Sequence, residues 1–233
     1  MEKVETLLRV ENLKKDFDGV TVIEDWNLEV KKGEKVALLG PSGCGKTTFL
    51  RIIAGLESFH GRVEIFTERI GYVFQDPRLI PWKTVMENLR LIRDDPERIR
   101  FFLEKVGLEG VEGHYPWQLS EGMKQRVNFV RAFLVEPDLL LLDEPFDALD
   151  LKTKIRVMDL LMEQWEGRNF SIIFVTHDVK EAVFIADRIF FLSGRPSKLV
   201  DEVTLNERAL SLADERLFEM EKRVIERLLN LPL

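Results

Sequence analysis

A glycine-rich loop between an apolar strand and an apolar helix constrains the fold of this chain more than any other feature. Residues 40–48 read GPSGCGKTT and satisfy the pattern G-x-x-x-x-G-K-[ST]. Residues 36–39 predict a buried strand, and residues 49–54 predict a helix. Small residues at positions 40, 43 and 45 allow the backbone to curl so that its N–H groups point at phosphate oxygens. A glycine-rich turn that binds nothing is the plain alternative, which this strand–loop–helix context disfavours.

The loop is therefore predicted to bind a nucleoside triphosphate. Lys46 would contact the β- and γ-phosphates, and the hydroxyl of Thr47 would bind Mg²⁺. The loop residues predicted to bind the nucleotide are Gly40, Pro41, Ser42, Gly43, Cys44, Gly45, Lys46, Thr47 and Thr48.

Composition and charge limit the classes of protein to which the chain can belong. Its 233 residues, 45% of them apolar, suit one sizeable α/β domain with a lobe, or two tightly joined subdomains. A net charge of −7 gives nucleic acid no electrostatic attraction, so we expect no nucleic-acid partner. The single cysteine excludes an internal disulfide and fits a reducing cytoplasm. Long apolar runs are absent, so membrane association is expected to depend on a partner.

Strand-like and helix-like segments alternate along most of the chain. Short apolar runs predict strands, and a 3.6-residue period predicts helices. The predicted strands cover residues 7–10, 20–23, 26–30, 36–39, 61–66, 70–74, 139–142, 171–175 and 189–192. The predicted helices cover residues 49 to about 55, 85–92, 96–106, 120–136, 151–165 and 179–186, and an amphipathic helix from 207 onward carries Leu210, Ala213, Leu217, Met220, Val224 and Leu228.

This order of elements predicts an α/β fold with an open, largely parallel sheet and a nucleotide at the carboxyl ends of its strands. We expect a single domain over residues 1–233, with a core of residues 1–75 and 138–233. A helical subdomain over about 76–137 would be inserted into that core. The amphipathic C-terminal helix is expected to pack on its own domain rather than on a membrane.

Two adjacent carboxylates follow the apolar run of residues 139–142. Asp143 at the strand tip can hold Mg²⁺, and Glu144 can polarise a water molecule that attacks the terminal phosphate. Paired acids could also mark a solvated strand end. Their position after a Gly-Lys-Thr loop favours the catalytic interpretation.

Residues 119–126, LSEGMKQR, resemble the signature sequence of ATP-binding-cassette (ABC) proteins, which is usually Leu-Ser-Gly-Gly-Gln. In that family the segment begins a helix and faces the γ-phosphate held by the opposite subunit, which implies nucleotide contacts for Ser120 and Gly122. Ser120 alone would be a plausible N-cap of any helix. The resemblance covers nearly the whole chain. It implies a P-loop NTPase (RecA-like) core with a small antiparallel β region and an inserted α-helical subdomain.

Further positions match family motifs in the family's order. The resemblance implies that Phe17 stacks on adenine, that Gln75 senses metal and water, and that His177 contacts the γ-phosphate. Residues 146–150, FDALD, look like the loop that crosses between subunits, which implies a nucleotide contact for Asp150. A turn hydrophobe, a surface amide and a loop histidine are the plain alternatives for the first three. The predicted catalytic residues are Lys46, Gln75, Glu144 and His177, and the predicted metal ligands are Thr47, Gln75 and Asp143.

The chain departs from the family pattern in two respects. Glu121 and Met123 replace a glycine and the glutamine of the usual signature, and we expect the Glu121 side chain to point away from the phosphates. Only 29 positions separate Lys46 from Gln75, so the antiparallel β region between them should be small.

The resemblance also implies an ATPase with ATP and Mg²⁺ as cofactors, acting as a homodimer on the cytoplasmic face of the membrane. Residues 73–82, VFQDPRLIPW, together with Met123, are most similar to the nitrate/sulfonate/taurine importer branch. The partners implied are integral membrane permease subunits and, indirectly, an extracytoplasmic solute-binding protein. Residues 77–82 would receive a permease helix, unless they form the core of the helical lobe.

Three other functions stay open at this stage. An ABC ATPase acting in DNA maintenance or translation would usually carry long insertions or tandem cassettes and a basic face, whereas this chain has a single cassette, a short lobe and a net negative charge. An exporter cassette is the second, and a regulator that does not turn over is the third. Glu144 and His177 argue against the regulator. Thiamine-precursor-like or riboflavin-like solutes use similar subunits, so the sequence does not fix the transported solute.

Overall fold

The computed structural model describes residues 5–205 and 214–231. These residues pack as two compact units. The first unit comprises the described residues of Met1–Glu68 and Ser171–Leu233, and the second unit is Arg69–Phe170. Both units combine strands with helices, as the α/β prediction requires. The predicted boundary of a helical subdomain at about 76–137 stays a prediction.

Strands and helices alternate along the described residues. The strands are β1 (Thr6–Phe17), β2 (Val20–Lys31), β3 (Lys35–Leu39), β4 (His60–Ile65), β5 (Ile70–Val73), β6 (Leu139–Asp143), β7 (Ser171–Val175), β8 (Arg188–Leu192) and β9 (Leu199–Thr204). The helices are α1 (Lys46–Ile53), α2 (Val85–Arg90), α3 (Pro96–Lys105), α4 (Glu121–Leu134), α5 (Leu151–Arg168), α6 (Val179–Ile185) and α7 (Glu215–Leu229), with a short 3₁₀ helix at Pro116–Gln118.

The first unit contains a three-stranded antiparallel sheet in which β1 lies between β2 and β4. Asp18 and Gly19 connect β1 to β2 with φ values of 47° and 82°, the left-handed conformation of tight hairpin turns. The sequence predicts two short strands over 20–30, but the structure forms the single strand β2. Asp25, with a φ of 54°, lies where the register with β1 shifts. This bulge breaks the apolar pattern without ending the strand.

The strand before the glycine-rich loop lies in the interior of the first unit. β3 pairs in parallel with both β7 and β8, and its five residues are all buried. A parallel strand covered on both faces is apolar throughout, which explains why residues 36–39 are recognisable from the sequence. At its start, the buried ammonium of Lys35 lies 2.9 Å from the Asp187 carboxylate, which offsets the cost of burying the charge.

β9 is missing from the sequence prediction because its pattern is half polar. It pairs antiparallel to β8 at the edge of the sheet, and its residues are half-buried or exposed. Edge strands of this kind lack the apolar run that marks buried strands.

The second unit combines the parallel pair β5 and β6 with the helices α2 to α5. Its interior is aromatic: Phe129 stacks on Phe146 at 5.6 Å between ring centroids, and Phe133 stacks on Phe102 at 5.7 Å. Side-chain oxygens cap the helices and fix their first residues, each cap contributing about 0.5–2 kcal/mol. The capping residues of α2, α3, α4 and α5 are Thr84, Asp95, Ser120 and Asp150.

The C-terminal helix α7 is amphipathic and packs on α6 within the first unit. Leu217, Met220 and Val224 form its buried face, as the sequence predicts. The described part of this helix begins at Glu215, and the rest of the prediction, residues 207–213 with the face positions Leu210 and Ala213, lies outside the described residues. Along residues 5–205 and 214–231, no helix has both the length and the apolar composition needed to span a bilayer.

Candidate active site

The glycine-rich loop connects β3 to α1 in the first unit, as the sequence predicts. Gly45 precedes α1 with a φ of 108°, and α1 begins at Lys46 without any side-chain cap. Lys46 is 5% exposed, and its ammonium donates to the carbonyl oxygens of Gly40 and Pro41, at 2.6 and 2.9 Å. The lysine therefore braces the loop from within. The uncapped N–H groups at the start of α1 are the type of donor that binds phosphate.

Glycine is required at two positions of this loop for steric reasons. A β-carbon on Gly40 would lie 2.7 Å from the Leu192 β-carbon, and one on Gly45 would lie 2.9 Å from a methyl of Val22. The positive φ of Gly45 also disfavours any other residue. Close packing therefore requires these glycines independently of their predicted contact with phosphate.

Arg195, which no sequence motif indicates, contacts the same loop. Its Nη2 and Nε atoms donate to the carbonyl oxygen of Gly43 at 2.6 and 3.2 Å. Arg195 lies between β8 and β9, 152 positions from Gly43, so no local pattern could have indicated the contact.

Cys44 is buried within the loop, at 1% exposure. Burial raises the pKa of its thiol, and the nearby Lys46 ammonium opposes that rise only in part. The protonated, shielded sulfur agrees with its interpretation as a small filler residue.

Phe17 and His177 also belong to the first unit. Phe17 ends β1 and is 40% exposed, which leaves ring surface available to a ligand. His177 is exposed directly after β7. The buried Thr176 hydroxyl donates to Glu181 at 2.6 Å and accepts from the Asp178 N–H at 3.0 Å. These bonds fix the turn that presents His177.

The paired carboxylates lie at the end of β6 in the second unit. Asp143 is 2% exposed and accepts a hydrogen bond of 3.3 Å from the Tyr72 hydroxyl on β5. Glu144 is half-buried, with a φ of 45° that marks a strained turn at the strand end. Gln75, just beyond β5, donates from Nε2 to Oε2 of Glu144 at 3.0 Å. The structure therefore brings Gln75 and Glu144 into direct contact.

Two buried amides on α4 hold the backbone on either side of this contact. Gln125 donates to the carbonyl oxygens of Phe74 and Pro145, at 3.4 and 3.2 Å. Asn128 donates to the Phe74 carbonyl at 2.7 Å. Both side chains are at most 2% exposed. The sequence offered one signal that could have found them: a glutamine and an asparagine on the otherwise apolar face of a predicted helix.

Ser120 caps α4 by accepting the Met123 N–H at 3.2 Å, so the signature segment begins this helix as expected. The Glu121 side chain is 72% exposed and pairs with Lys124 at 2.7 Å. A β-carbon on Gly122 would lie 2.9 Å from the Ala148 carbonyl oxygen. Packing within one copy of the chain therefore already requires glycine at this position.

Asp150 caps α5, where its carboxylate accepts from the Thr153 hydroxyl and backbone N–H. The hydroxyl bond is the main reason that the pKa of this carboxyl lies below its usual value. In this structure the described role of Asp150 is helix capping, and its nucleotide contact stays a prediction.

The predicted metal ligands have the chemistry that Mg²⁺ requires. The Asp143 carboxylate, the Thr47 hydroxyl and the Gln75 amide oxygen are hard oxygen donors. The Gln75 nitrogen is the atom that donates to Glu144, so the predicted metal contact falls to the amide oxygen. The donor chemistry of these side chains therefore suits a magnesium ion, and their binding of one stays a prediction.

Comparison with known proteins agrees with the motifs. The sequence profile of the family described as ABC transporter matches residues 23–147. The aliphatic sulfonates import ATP-binding protein SsuB 2 of Pseudomonas syringae pathovar tomato is 44% identical over 194 residues, covering 82% of this chain and 84% of that protein. The taurine import ATP-binding protein TauB of Escherichia coli K12 is 41% identical over 216 residues, covering 86% and 85%.

Two solved structures show the same fold. The dimeric structure of MJ0796, a bacterial ABC transporter cassette, has a TM-score of 0.79 and 32% identity, covering 86% of this chain and 100% of that one. A dimeric post-hydrolysis state of MJ0796 bound to ADP and Pi has a TM-score of 0.74 and 31% identity, covering 84% and 99%. The predicted P-loop NTPase fold is confirmed.

Proposed function

Because this chain belongs to the ABC transporter family, we propose that it is the ATP-hydrolysing subunit of an importer for small oxyanions such as aliphatic sulfonates or taurine. The relatives named as import ATP-binding proteins for these solutes support the choice of solute. The observation that carries the catalytic part is the hydrogen bond between Gln75 and Glu144 at the ends of two parallel strands.

The glycine-rich loop binds the phosphates of ATP. The N–H groups at the start of α1 and the Lys46 ammonium neutralise the β- and γ-phosphate oxygens. The exposed ring of Phe17 stacks on the adenine. When bound, Mg²⁺ supplies further charge neutralisation at these oxygens, held by Thr47, Gln75 and Asp143.

Glu144 accepts a proton from the attacking water. One of its carboxylate oxygens accepts from Gln75, which orients the carboxylate and leaves the other oxygen to polarise the water. Lys46 stabilises the charge that develops on the β-phosphate of the leaving ADP, while His177 contacts the γ-phosphate.

Two copies of the chain close around two ATP molecules. Ser120 and Gly122 of one copy face the γ-phosphate bound by the other copy, and Asp150 lies in the loop that crosses between them. Loss of the γ-phosphate removes the link between the copies, so the dimer reopens. The dimeric cassette structures that this chain is similar to support this arrangement.

A groove lined by aromatic side chains in the second unit is the docking site for a membrane permease. Pro81, Trp82, Tyr115 and Trp117 line the groove, whose volume is about 480 Å³. Trp82 and Trp117 are 76% and 74% exposed, which is uncommon for side chains of this size without a partner. Buried Asn88 holds the turn that contains Trp82 through hydrogen bonds to Ile80 and Lys83, on either side of it. The proposed location is the cytoplasmic face of the membrane.

Uptake by a reconstituted transporter tests the proposal. The chain, the permease from the same genome and its solute-binding protein are placed in proteoliposomes, and uptake of labelled taurine and of an alkanesulfonate is measured with and without Mg-ATP. ATP-dependent uptake of either solute is expected. A neutral sugar of similar size is the control solute. Phosphate release without transport of any solute would contradict the importer role.

Truncating Trp82 should weaken the binding of the chain to its permease. We expect Trp82→Ala to leave the ATPase rate of the isolated chain within about twofold and to lower permease co-purification about tenfold, since exposed tryptophans are typical interface anchors. Phe218→Ala is the matched control, because Phe218 is 72% exposed in the other unit. Equal permease recovery with both variants would exclude this groove as the docking site.

Alkylation of Cys44 should report occupancy of the loop. The thiol is buried with a raised pKa, so iodoacetamide should react slowly at neutral pH and faster as the pH rises and thiolate forms. Saturating Mg-AMP-PNP should slow labelling by about tenfold further. The single cysteine makes labelling stoichiometry unambiguous by mass spectrometry. Identical rates with Mg²⁺ alone and with Mg-AMP-PNP would contradict nucleotide binding at this loop.

A further inference from the structure

Strand β1 carries a buried lysine, Lys15, to which the proposed function assigns no role. Lys15 is only 6% exposed, whereas its neighbour Lys14 is exposed. Leu13, Lys15 and Phe17 alternate with exposed or half-buried residues, so they share one face of the strand. A buried ammonium is costly unless it is paired, so this position needs an explanation.

Three groups surround the ammonium of Lys15. Its Nζ lies 3.2 Å from a Glu57 carboxylate oxygen and 3.3 Å from the Ser58 hydroxyl. It also lies 4.4 Å from the ring centroid of Phe17. Glu57 and Ser58 belong to the segment between α1 and β4, so the segment after the phosphate-binding helix holds the charge in place.

This contact changes what the Phe17 ring can bind. The ammonium lies against one face of the ring, within the distance at which a cation is attracted to aromatic electrons. A cation at this distance opposes rotation of the ring and draws its electron density toward the covered face. The residue is still 40% exposed. The uncovered face of the ring is the one left for stacking on a purine.

We propose that Lys15 is a positioning residue for the nucleotide base: it holds the Phe17 ring from one face so that the other face stacks on adenine. The inference rests on the proposed binding of ATP with Phe17 at the base. Lys15 acts only through the ring and contacts neither the base nor the phosphates.

Comparing a ligand that has a base with a ligand that lacks one distinguishes positioning of the Phe17 ring from a general structural role of Lys15. Calorimetry on the full chain compares Mg-AMP-PNP with inorganic tripolyphosphate, which has no base. Lys15→Met should weaken AMP-PNP binding by about threefold to fivefold and leave tripolyphosphate binding unchanged. Lys15→Arg should restore AMP-PNP affinity because it keeps a cation over the ring. Lys14→Met, on the exposed neighbouring position, should change neither ligand's affinity.

The Phe17→Leu background completes the test. Removing the ring should weaken AMP-PNP binding at least about fivefold, and Lys15→Met should then have no further effect. Two results would overturn the role of Lys15 without affecting the proposed function. One is an equal loss of affinity for both ligands in Lys15→Met, and the other is an undiminished effect of Lys15→Met on AMP-PNP affinity in the Phe17→Leu background. Absence of AMP-PNP binding in the unmodified chain would instead overturn the proposed function.

Discussion

Replacing Glu144 with glutamine is expected to slow ATP hydrolysis by about a hundredfold or more while ATP affinity stays within about twofold. The amide keeps the side chain's size and can still pair with Gln75, but it cannot accept a proton from the attacking water. Because the γ-phosphate then persists, the two copies should stay paired. Steady-state phosphate release gives the rate, and light scattering with saturating Mg-ATP gives the mass of the complex.

The matched control is Glu163→Gln, an exposed carboxylate on α5 that pairs only with Lys105 among its described contacts. It should hydrolyse ATP at the unmodified rate. A Glu144→Gln protein that releases phosphate normally would remove Glu144 from the chemistry. A protein that is inactive but stays monomeric with ATP would argue against pairing through the nucleotide.

Replacing Lys46 with methionine should weaken Mg-AMP-PNP binding by about a hundredfold and abolish hydrolysis. Methionine fills a similar volume, so the loss comes from the charge that neutralises phosphate oxygens. It also comes from the loop itself, since the ammonium donates to the Gly40 and Pro41 carbonyls. Calorimetry measures the affinity, and thermal unfolding monitored by circular dichroism checks that the variant is folded.

Lys198→Met controls for loss of a positive charge, because this lysine is more than half exposed and pairs with Glu24. Its nucleotide affinity should equal that of the unmodified chain. If Lys46→Met bound AMP-PNP as tightly as Lys198→Met, the glycine-rich loop would not be the phosphate site.

The parts of the fold and site that local sequence determines could be predicted. The loop of residues 40–48 follows a buried strand and precedes a helix, and this context is visible within about twenty residues. The Asp143–Glu144 pair is equally local, since it ends an apolar run. β9 carries no such run because it is an edge strand, and the pattern of β2 predicts two strands because a bulge interrupts it.

The remaining site residues depend on contacts between distant segments. Arg195 reaches Gly43 across 152 positions, and Gln125 reaches Phe74 across 51. Lys15 is one of two adjacent lysines in the sequence, and only the fold shows which of them is buried. Such contacts are set by tertiary packing, which a single sequence does not display.

The hydrogen bonds from Gln125 to the Phe74 and Pro145 carbonyls connect helix α4 to two separate loops. In the proposed dimer, α4 would face the nucleotide bound by the other copy. A tilt of α4 would therefore displace the backbone next to Gln75 and next to Glu144 together. A change at one of the two ATP molecules would then move the residues that hydrolyse the other ATP, and hydrolysis at the two sites would be coupled.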